Sequence, residues 1–291
     1  HMDVVGVEPA GWSVDPFAGV VRDGHVYGRG AIDDKGMLAA NLVTMLLLKR
    51  HVLDAGRALA RDVVFVANSD EEGTGALGMR WLLANHPALV RGEFALNEGG
   101  RTRVVGGRAL FVAVQTTEKV PHLVTVTARG PGGHASVPLR GNAVMRLARA
   151  LAAIDAWRPP THVTPTAREF LAELARVWPD PRERRAMADV ASRDPRRVAR
   201  GARVLAALPA IDAVLRTGIS ATLVEGGIRE NVIPTEARAT LNVRTLPGQS
   251  IDAVVRRLRS LVRDPHVTLA ITERGEDAPP SDFRSPMFRA I

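Results

Sequence analysis

Three consecutive acidic residues, Asp70, Glu71 and Glu72, directly follow the run DVVFVANS and precede a glycine-containing turn. The apolar, β-branched part of that run predicts a buried strand, which places the acids at the end of the strand. Adjacent carboxylates repel one another, and burying one without a partner costs free energy. The cluster therefore raises the question of which cation makes it tolerable.

Three further stretches of the first 100 residues place acids or imidazole beside an apolar run or a glycine-rich turn. HMDVV supplies His1 and Asp3, GRGAIDDKG supplies Asp33 and Asp34, and LNEGG supplies Glu98. Any one of these acids alone is typical of a solvated loop or a helix N-cap. Because sites in parallel sheets form beyond the carboxyl ends of the strands, four such stretches at successive strand ends are expected to converge.

The chain divides into two patterns. Strand and helix patterns alternate over residues 1–107, which predicts a mainly parallel sheet flanked by helices. Over residues 108–279 strands are grouped with a few helices, which predicts a separate α+β two-layer sandwich. A helical stretch rich in arginine and proline interrupts the second pattern at about residues 160–217.

The composition limits the chemistry that the acids can support. The chain contains no cysteine, which excludes disulfides, thiolate metal sites and a cysteine nucleophile. A metal must then be held by His, Asp and Glu, a ligand set that suits zinc, manganese or cobalt. The acids outnumber the ligands of one tetrahedral ion, so two ions sharing a carboxylate are expected, with one further acid free to accept a proton from water.

The charge and hydrophobicity patterns argue against nucleic acid and membrane as partners. The net charge is +8, but the basic residues are almost all arginines spread along the chain, and aromatic residues make up only 4%. Stacking platforms for nucleic acid are therefore scarce, and we expect no nucleic-acid partner. No uninterrupted apolar run reaches 18 residues, so we expect no membrane span and a cytoplasmic location.

The motifs together resemble those of the M20 family of dizinc peptidases and acylases. HMDVV, GRGAIDDKG, NSDEEGTG, NEGG and GPGGHASVP occur in the family's order, and GGIRENVIPTEARATLNVRTLPG is similar to its carboxypeptidase S-like branch. The resemblance implies a zinc-peptidase-like catalytic domain with its first segment at 1–107. It also implies an inserted dimerisation or lid domain at 108–279, and a returning catalytic segment that begins at 280–291.

The resemblance assigns the metal ligands by motif position. His1 and Glu98 are expected to bind the first zinc, Glu72 the second, and Asp33 both. Two Zn²⁺ ions are expected, with Co²⁺ or Mn²⁺ as alternatives. The family's final histidine ligand for the second ion has no counterpart in this sequence, so we expect that site to be incomplete and the chain to be a fragment truncated at both ends.

Other residues receive supporting roles in the same way. Asp3 is expected to orient the His1 ring, Glu71 to act as general base, and the Asp33–Asp34 peptide to be cis. In the second domain His134 would stabilise the oxyanion in the partner subunit's active site. Without the resemblance, His134 is typical of a turn histidine fixed by glycines.

Two further residues match positions that the family uses near the substrate, Asn231 and Arg244. Arg244 could bind a substrate carboxylate with its guanidinium fork, or simply be an exposed strand arginine. The expected function is hydrolysis of amide bonds in small peptides or N-acyl amino acids by a homodimer joined through the lid domain. The alternative is a non-catalytic or inactive fragment that serves as a dimerisation or binding module.

Overall fold

The computed structural model describes residues 1–291 and resolves two compact units, His1–Gly99 and Gly100–Ile291. The sequence placed the first domain boundary between residues 107 and 108, a few residues later. The predicted boundary falls inside one β-hairpin, Arg101–Ala113, which belongs as a whole to the second unit.

The first unit consists of short helices joined by extended segments and a small hairpin. The hairpin pairs β1 (Val20–Arg22) with β2 (His25–Tyr27) in antiparallel register. The helices are a 3₁₀ turn at Pro9–Gly11, α1 (Lys35–Leu48) with a π-helical continuation at Lys49–Leu53, α2 (Met79–Asn85) and α3 (Pro87–Val90).

Helix α1 is rich in leucine, alanine and methionine, which are residues that favour a helix. It begins after Asp34, and the chain leaves its π-helical continuation through Gly56, whose φ of +71° is easily adopted only by glycine. The stretch Lys35–Leu53 is long and apolar enough to cross a membrane by length and composition, and none of it is buried in this structure. Core helices of soluble proteins and signal sequences meet the same criterion, so length and composition alone do not assign this helix to a membrane.

Two predicted strands of the first unit are not formed as paired strands. Residues 62–67 and 94–97 lie outside any sheet, and every sheet in the structure is antiparallel, so the parallel sheet expected there is absent. Val63 and Val64 are 48% and 59% exposed. A β-branched run favours an extended backbone, but a strand also needs a hydrogen-bonding neighbour about 4.8 Å away, and these segments have none.

The second unit contains eight strands and seven helices. The strands are β3 (Arg101–Val105), β4 (Arg108–Ala113), β5 (Val120–Arg129), β6 (Gly133–His134), β7 (Gly218–Gly226), β8 (Val232–Ile233), β9 (Glu236–Thr245) and β10 (Val267–Arg274). The helices are α4 (Ala143–Asp155), α5 (Pro165–Val177), α6 (Pro181–Ala191), α7 (Pro195–Leu205), α8 (Pro209–Ala213), α9 (Ile251–Val262) and α10 (Pro286–Ala290).

The main sheet is antiparallel, with the strand order β10-β5-β9-β7. Residues alternate along β5 and β9, so that Val124, Val126 and Leu241 are buried on one face. Helices α4 and α9 cover that face with Leu147, Leu258 and their neighbours. The result is the two-layer α+β arrangement predicted from the grouped strands.

The helical stretch forms a second core. Helices α5, α6 and α7 each begin with proline at the first helical position, after Thr164, Asp180 and Asp194, whose side chains accept backbone N–H groups of the first turn. Leu171 and Leu205 are fully buried in the cluster that these helices form. The strong start signals explain why this region reads as helical from the sequence.

Candidate metal centre

The N-terminal segment is held against the chain that carries the acidic triplet. The backbone N–H of Met2 donates to the carbonyl oxygen of Asn68 at 2.8 Å. This contact brings His1 and Asp3 beside Glu71 and Glu72, although the two stretches are about 70 residues apart in the sequence. The motifs HMDVV and NSDEEG therefore meet in space as predicted.

The His1 side chain lies at the centre of the carboxylates. The residue is buried, with 7% of its surface exposed. Its Nε2 lies 3.0 Å from Asp33 Oδ1, 3.6 Å from Glu71 Oε2 and 3.8 Å from Glu98 Oε1. One imidazole nitrogen thus faces three acids that come from three separate motifs.

Asp3 connects the imidazole to the acidic triplet. Its carboxylate accepts the backbone N–H groups of Glu71 at 3.2 Å and Glu72 at 3.1 Å, and Oδ1 lies 3.4 Å from His1 Nδ1. Burial would raise the pKa of Asp3, but these backbone donors outweigh it and hold the pKa below its usual value. An ionised Asp3 beside Nδ1 fits the predicted orienting role, since it favours a proton on Nδ1 and leaves Nε2 free to bind metal.

Two groups of three side chains have the geometry to hold a metal ion. The groups are His1, Glu71 and Glu98, and His1, Asp33 and Glu72; within each, the potential ligand atoms lie within 4.8 Å of one another. Together they contain all four predicted ligands and the predicted base. One imidazole nitrogen with several carboxylate oxygens and no thiolate suits zinc, cobalt or manganese.

The electrostatics of the acids favour a cation at this place. Partial burial raises the pKa of Glu71, and repulsion from Glu72, Asp3 and Asp33 adds to the increase. Burial likewise raises the pKa of Glu98, with repulsion from Glu71 and Asp33 in the same direction. A divalent ion between these carboxylates would offset the repulsion and lower the pKa of both.

Asp33 and Asp34 are joined by the peptide bond for which the M20 resemblance predicts a cis conformation. Their peptide is cis, as predicted, and it is the chain's one cis bond. The Asp34 carboxylate is buried and accepts the α-amino group of His1 at 2.9 Å, while the Asp33 carboxylate faces the His1 ring. The two neighbouring acids therefore contact opposite ends of the same residue.

Asp70 stabilises the turn that follows the acidic triplet, a role that the sequence analysis did not identify. It has a φ of +61°, and its carboxylate accepts the backbone N–H groups of Leu77 at 2.9 Å and Thr74 at 3.2 Å. The N–H of Leu77, as the largest influence, lowers the pKa of Asp70. The pattern Asp-x₃-Thr within a glycine-containing turn is a signal that could have identified this turn-forming acid.

The remaining predicted site residues lie in the second unit. His134 pairs with Val232 in the β6–β8 ribbon, and the carbonyl oxygen of Asn231 accepts the N–H of Ala135 at 3.0 Å. The structure therefore brings His134 and Asn231 together. His134 is exposed, with Nδ1 at 2.8 Å from Ser136 Oγ. Arg244 lies near the end of β9 with an exposed side chain.

Two family models match the chain. The first, Peptidase family M20/M25/M40, matches residues 1–193, and the second, Peptidase dimerisation domain, matches residues 119–268. The first match covers the motifs that supply the candidate metal ligands. The second covers β5, the helical stretch and β9.

Named relatives are similar over almost the whole chain. The N-fatty-acyl-amino acid synthase/hydrolase PM20D1 of Xenopus tropicalis is 30% identical over 286 residues, which is 97% of this chain and 54% of that protein. The probable carboxypeptidase S-like 2 of Dictyostelium discoideum is 28% identical over 300 residues, 96% of this chain and 53% of that protein. The chain thus spans about half the length of these relatives.

Solved structures share the fold at low sequence identity. The dipeptidase Dug1p of Saccharomyces cerevisiae has a TM-score of 0.60 at 15% identity, and human carnosine dipeptidase 1 has a TM-score of 0.58 at 16% identity. Each match covers 99% of this chain and 62% of the solved chain. At these identities the likeness concerns the fold.

Proposed function

The chain belongs to peptidase family M20/M25/M40, and on that premise we propose that the whole protein is a zinc-dependent hydrolase of amide bonds. The family membership and the α/β fold with a dimerisation domain are confirmed. The observation that carries the proposal is the convergence of four separate motifs on the His1 imidazole. A purely structural cluster would not need so many mutually repelling carboxylates.

The proposed centre holds two zinc ions. His1, Asp33 and Glu98 would hold one ion, and Glu72 would hold the other with Asp33 shared between them. The division between the two ions follows the family motifs; in this structure the donors at ligand spacing are His1 with Glu71 and Glu98, and His1 with Asp33 and Glu72. The fit rests on this donor set of one imidazole and several carboxylates, with repulsion among the acids that a cation would relieve. Bound zinc would polarise the substrate carbonyl and lower the pKa of water at the site.

Glu71 would then act as the general base. Its side chain is partly exposed and Oε2 lies 3.6 Å from His1 Nε2, so it borders the metal ligands and is reachable by a substrate. It would take a proton from the attacking water and deliver it to the leaving amine. Asp3 would keep the His1 ring in position by its contact with Nδ1.

The proposed substrates are small peptides or N-acyl amino acids with a free carboxylate. The names of the relatives support this range, since they include an N-fatty-acyl-amino acid synthase/hydrolase and carboxypeptidase S-like proteins. Arg244, exposed on β9, could bind the carboxylate with its guanidinium fork. His134, with Asn231 beside it, would donate to the oxyanion from the partner subunit.

The dimerisation-domain match supports a homodimer through the second unit. Strand β7 is one of the two edge strands of the main sheet, and along it Leu223 and Val224 are 58% and 65% exposed. An apolar edge strand of this kind is suited to pairing with a second copy. Sedimentation of the whole protein should give a dimer, and Leu223→Lys should give a monomer.

The test of the proposed function combines metal analysis with turnover. The purified whole protein should contain up to two zinc ions per chain and should hydrolyse N-acyl amino acids or dipeptides. A chelator should abolish hydrolysis, and added zinc should restore it. The alternative, a non-catalytic binding module, predicts little bound metal and no effect of Glu72→Gln on any activity of the protein.

A further inference from the structure

His134 lies on a short ribbon that holds its backbone on both sides. In the pairing of β6 with β8, His134 lies opposite Val232. The N–H of Ala135 donates to the carbonyl oxygen of Asn231 at 3.0 Å, and the His134 carbonyl oxygen accepts the N–H of Val137 at 3.0 Å. Because the backbone is fixed in this way, the side-chain torsions alone decide where the imidazole ring of His134 points.

The imidazole ring is held at one of its two nitrogens by Ser136. The backbone N–H of Ser136 donates to His134 Nδ1 at 3.2 Å, and Ser136 Oγ lies 2.8 Å from the same nitrogen. A backbone N–H can only donate, so Nδ1 is the acceptor in this contact. A serine hydroxyl can donate or accept, and beside a nitrogen that already accepts it donates as well.

These two contacts determine the tautomer of the His134 ring. A neutral imidazole carries its proton on one nitrogen and a lone pair on the other. Since the lone pair of Nδ1 faces the two donors of Ser136, the proton of the neutral ring is on Nε2. The His134 side chain is exposed, and its Nε2 makes no hydrogen bond to the protein. The ring therefore offers one free N–H donor at Nε2.

We propose that Ser136 is a positioning residue for His134: its N–H and its hydroxyl hold Nδ1, so that Nε2 carries the proton that is donated to the oxyanion. In the opposite tautomer Nε2 would carry a lone pair, which would repel an oxyanion instead of stabilising it. Ser136 acts only through the ring. The tautomer follows from the contacts of Ser136, whereas its consequence for catalysis rests on the proposed function.

The tautomer is measured by magic-angle-spinning NMR of the whole protein, prepared with isotope-labelled histidine. The His134 signals are assigned by their loss in His134→Ala, and the chemical shift of each ring nitrogen shows whether it carries a proton. Above the ordinary pKa of histidine, the wild-type ring should carry its proton on Nε2. In Ser136→Ala, which loses one of the two donors, the Nδ1 resonance should move towards that of a nitrogen without a hydrogen bond. A proton on Nδ1 in the wild type, or an Nδ1 resonance that does not move, would overturn the proposal.

The expected kinetic signature is a lower kcat with little change in KM. The oxyanion develops in the transition state, so a less well positioned donor slows the chemical step without weakening substrate binding. With N-acetyl-L-leucine as substrate, Ser136→Ala should lower kcat about 3- to 10-fold, the range for the loss of one hydrogen bond, and leave KM within about twofold. Ser136→Thr keeps the hydroxyl and should restore kcat.

Ser260→Ala is the matched control for the loss of a serine hydroxyl. Ser260 is exposed on α9, and its hydroxyl contacts only Arg257 of the same helix. This variant should leave kcat and the His134 resonances unchanged. An equal fall in kcat for Ser136→Ala and Ser260→Ala, a rise in KM alone for Ser136→Ala, or no recovery in Ser136→Thr would contradict the positioning role.

The two measurements separate the role of Ser136 from the proposed function. If the whole protein hydrolyses no amide, but His134 carries its proton on Nε2 and its Nδ1 resonance moves in Ser136→Ala, the proposed function fails and Ser136 still holds the ring. If the protein hydrolyses amides and His134→Ala lowers turnover, while Ser136→Ala keeps full kcat and an unmoved Nδ1 resonance, the role of Ser136 fails alone.

Discussion

Replacing Glu71 with glutamine removes one charge from the centre of the acidic cluster and leaves the shape of the side chain almost unchanged. As general base, Glu71 should contribute a factor of about 10²–10⁴ to turnover, or about 3–5 kcal/mol of activation free energy. In the structure its Oε2 borders His1 Nε2, and the predicted ligands Asp33, Glu72 and Glu98 surround the same ring without it. Glu71→Gln should therefore lose activity while it retains zinc.

The same substitution has a second consequence that needs no substrate. The pKa of Glu71 is raised in the folded chain, which means that its ionised form is less favourable there than in the unfolded chain. Above the ordinary pKa of a glutamate, the charge of Glu71 therefore destabilises the fold. In the metal-free whole protein, Glu71→Gln should therefore raise the unfolding temperature at pH 7 and leave it unchanged near pH 3, where both forms are neutral.

The assay for Glu71→Gln measures kcat, zinc per chain by mass spectrometry and thermal unfolding after chelation. Glu72→Gln serves as the matched variant, since it removes the neighbouring charge from a predicted ligand and should lose zinc as well as activity. Full turnover by Glu71→Gln would refute the assignment of the base. Loss of zinc from Glu71→Gln would instead show that Glu71 is a ligand, in line with its place in a group with His1 and Glu98.

Three other substitutions test separate parts of the structure. Asp3→Asn turns an acceptor of the Glu71 or Glu72 N–H into a donor, and should weaken zinc binding about 10- to 100-fold by equilibrium dialysis; unchanged affinity would remove its orienting role. Gly201→Ala places a Cβ 2.4 Å from a carbonyl oxygen of α6 and should lower the free energy of unfolding by about 1–3 kcal/mol, although alanine is normally the better helix residue; a stabilised variant in urea unfolding would contradict this packing. Burial would raise the pKa of Asp189, but N–H donors of two arginines outweigh it and lower the pKa, so its stabilisation is present above about pH 4 and is lost as pH falls further. Asp189→Asn should lower stability by about 1–3 kcal/mol at pH 7 and flatten the acid limb of the stability profile; an unchanged acid limb would contradict the assignment.

Local signals in the sequence were sufficient for the second unit. The alternation around Val124 and Leu241 specifies which face of the sheet is buried, and Thr164, Asp180 and Asp194 before proline specify where three helices begin. These features depend on residues a few positions apart. They were therefore readable without knowledge of the tertiary structure.

The first unit shows the limit of such signals. The valines near residue 63 have strand propensity, but pairing depends on a neighbouring strand, which no local pattern specifies. In contrast, Asp33, Glu71 and Glu98 converge on His1 as the resemblance to the M20 motifs implies, although the parallel sheet from which convergence was also expected is not formed. Which acids share an ion could not be predicted from the residues alone, because that depends on side-chain positions at the scale of one ångström.

The acidic triplet is tolerated because its three members do not share one environment. The left-handed backbone at Asp70 turns the chain, so that this carboxylate faces the N–H groups of the following turn. The Asp3 carboxylate accepts the backbone N–H groups of Glu71 and Glu72, and the side chains of these two residues face the His1 ring. Within the triplet, only those two acids then face the repulsion that a cation would relieve, and they are the proposed base and a proposed ligand. A change at Asp70 should consequently disturb both, because it would release the turn that separates the three charges.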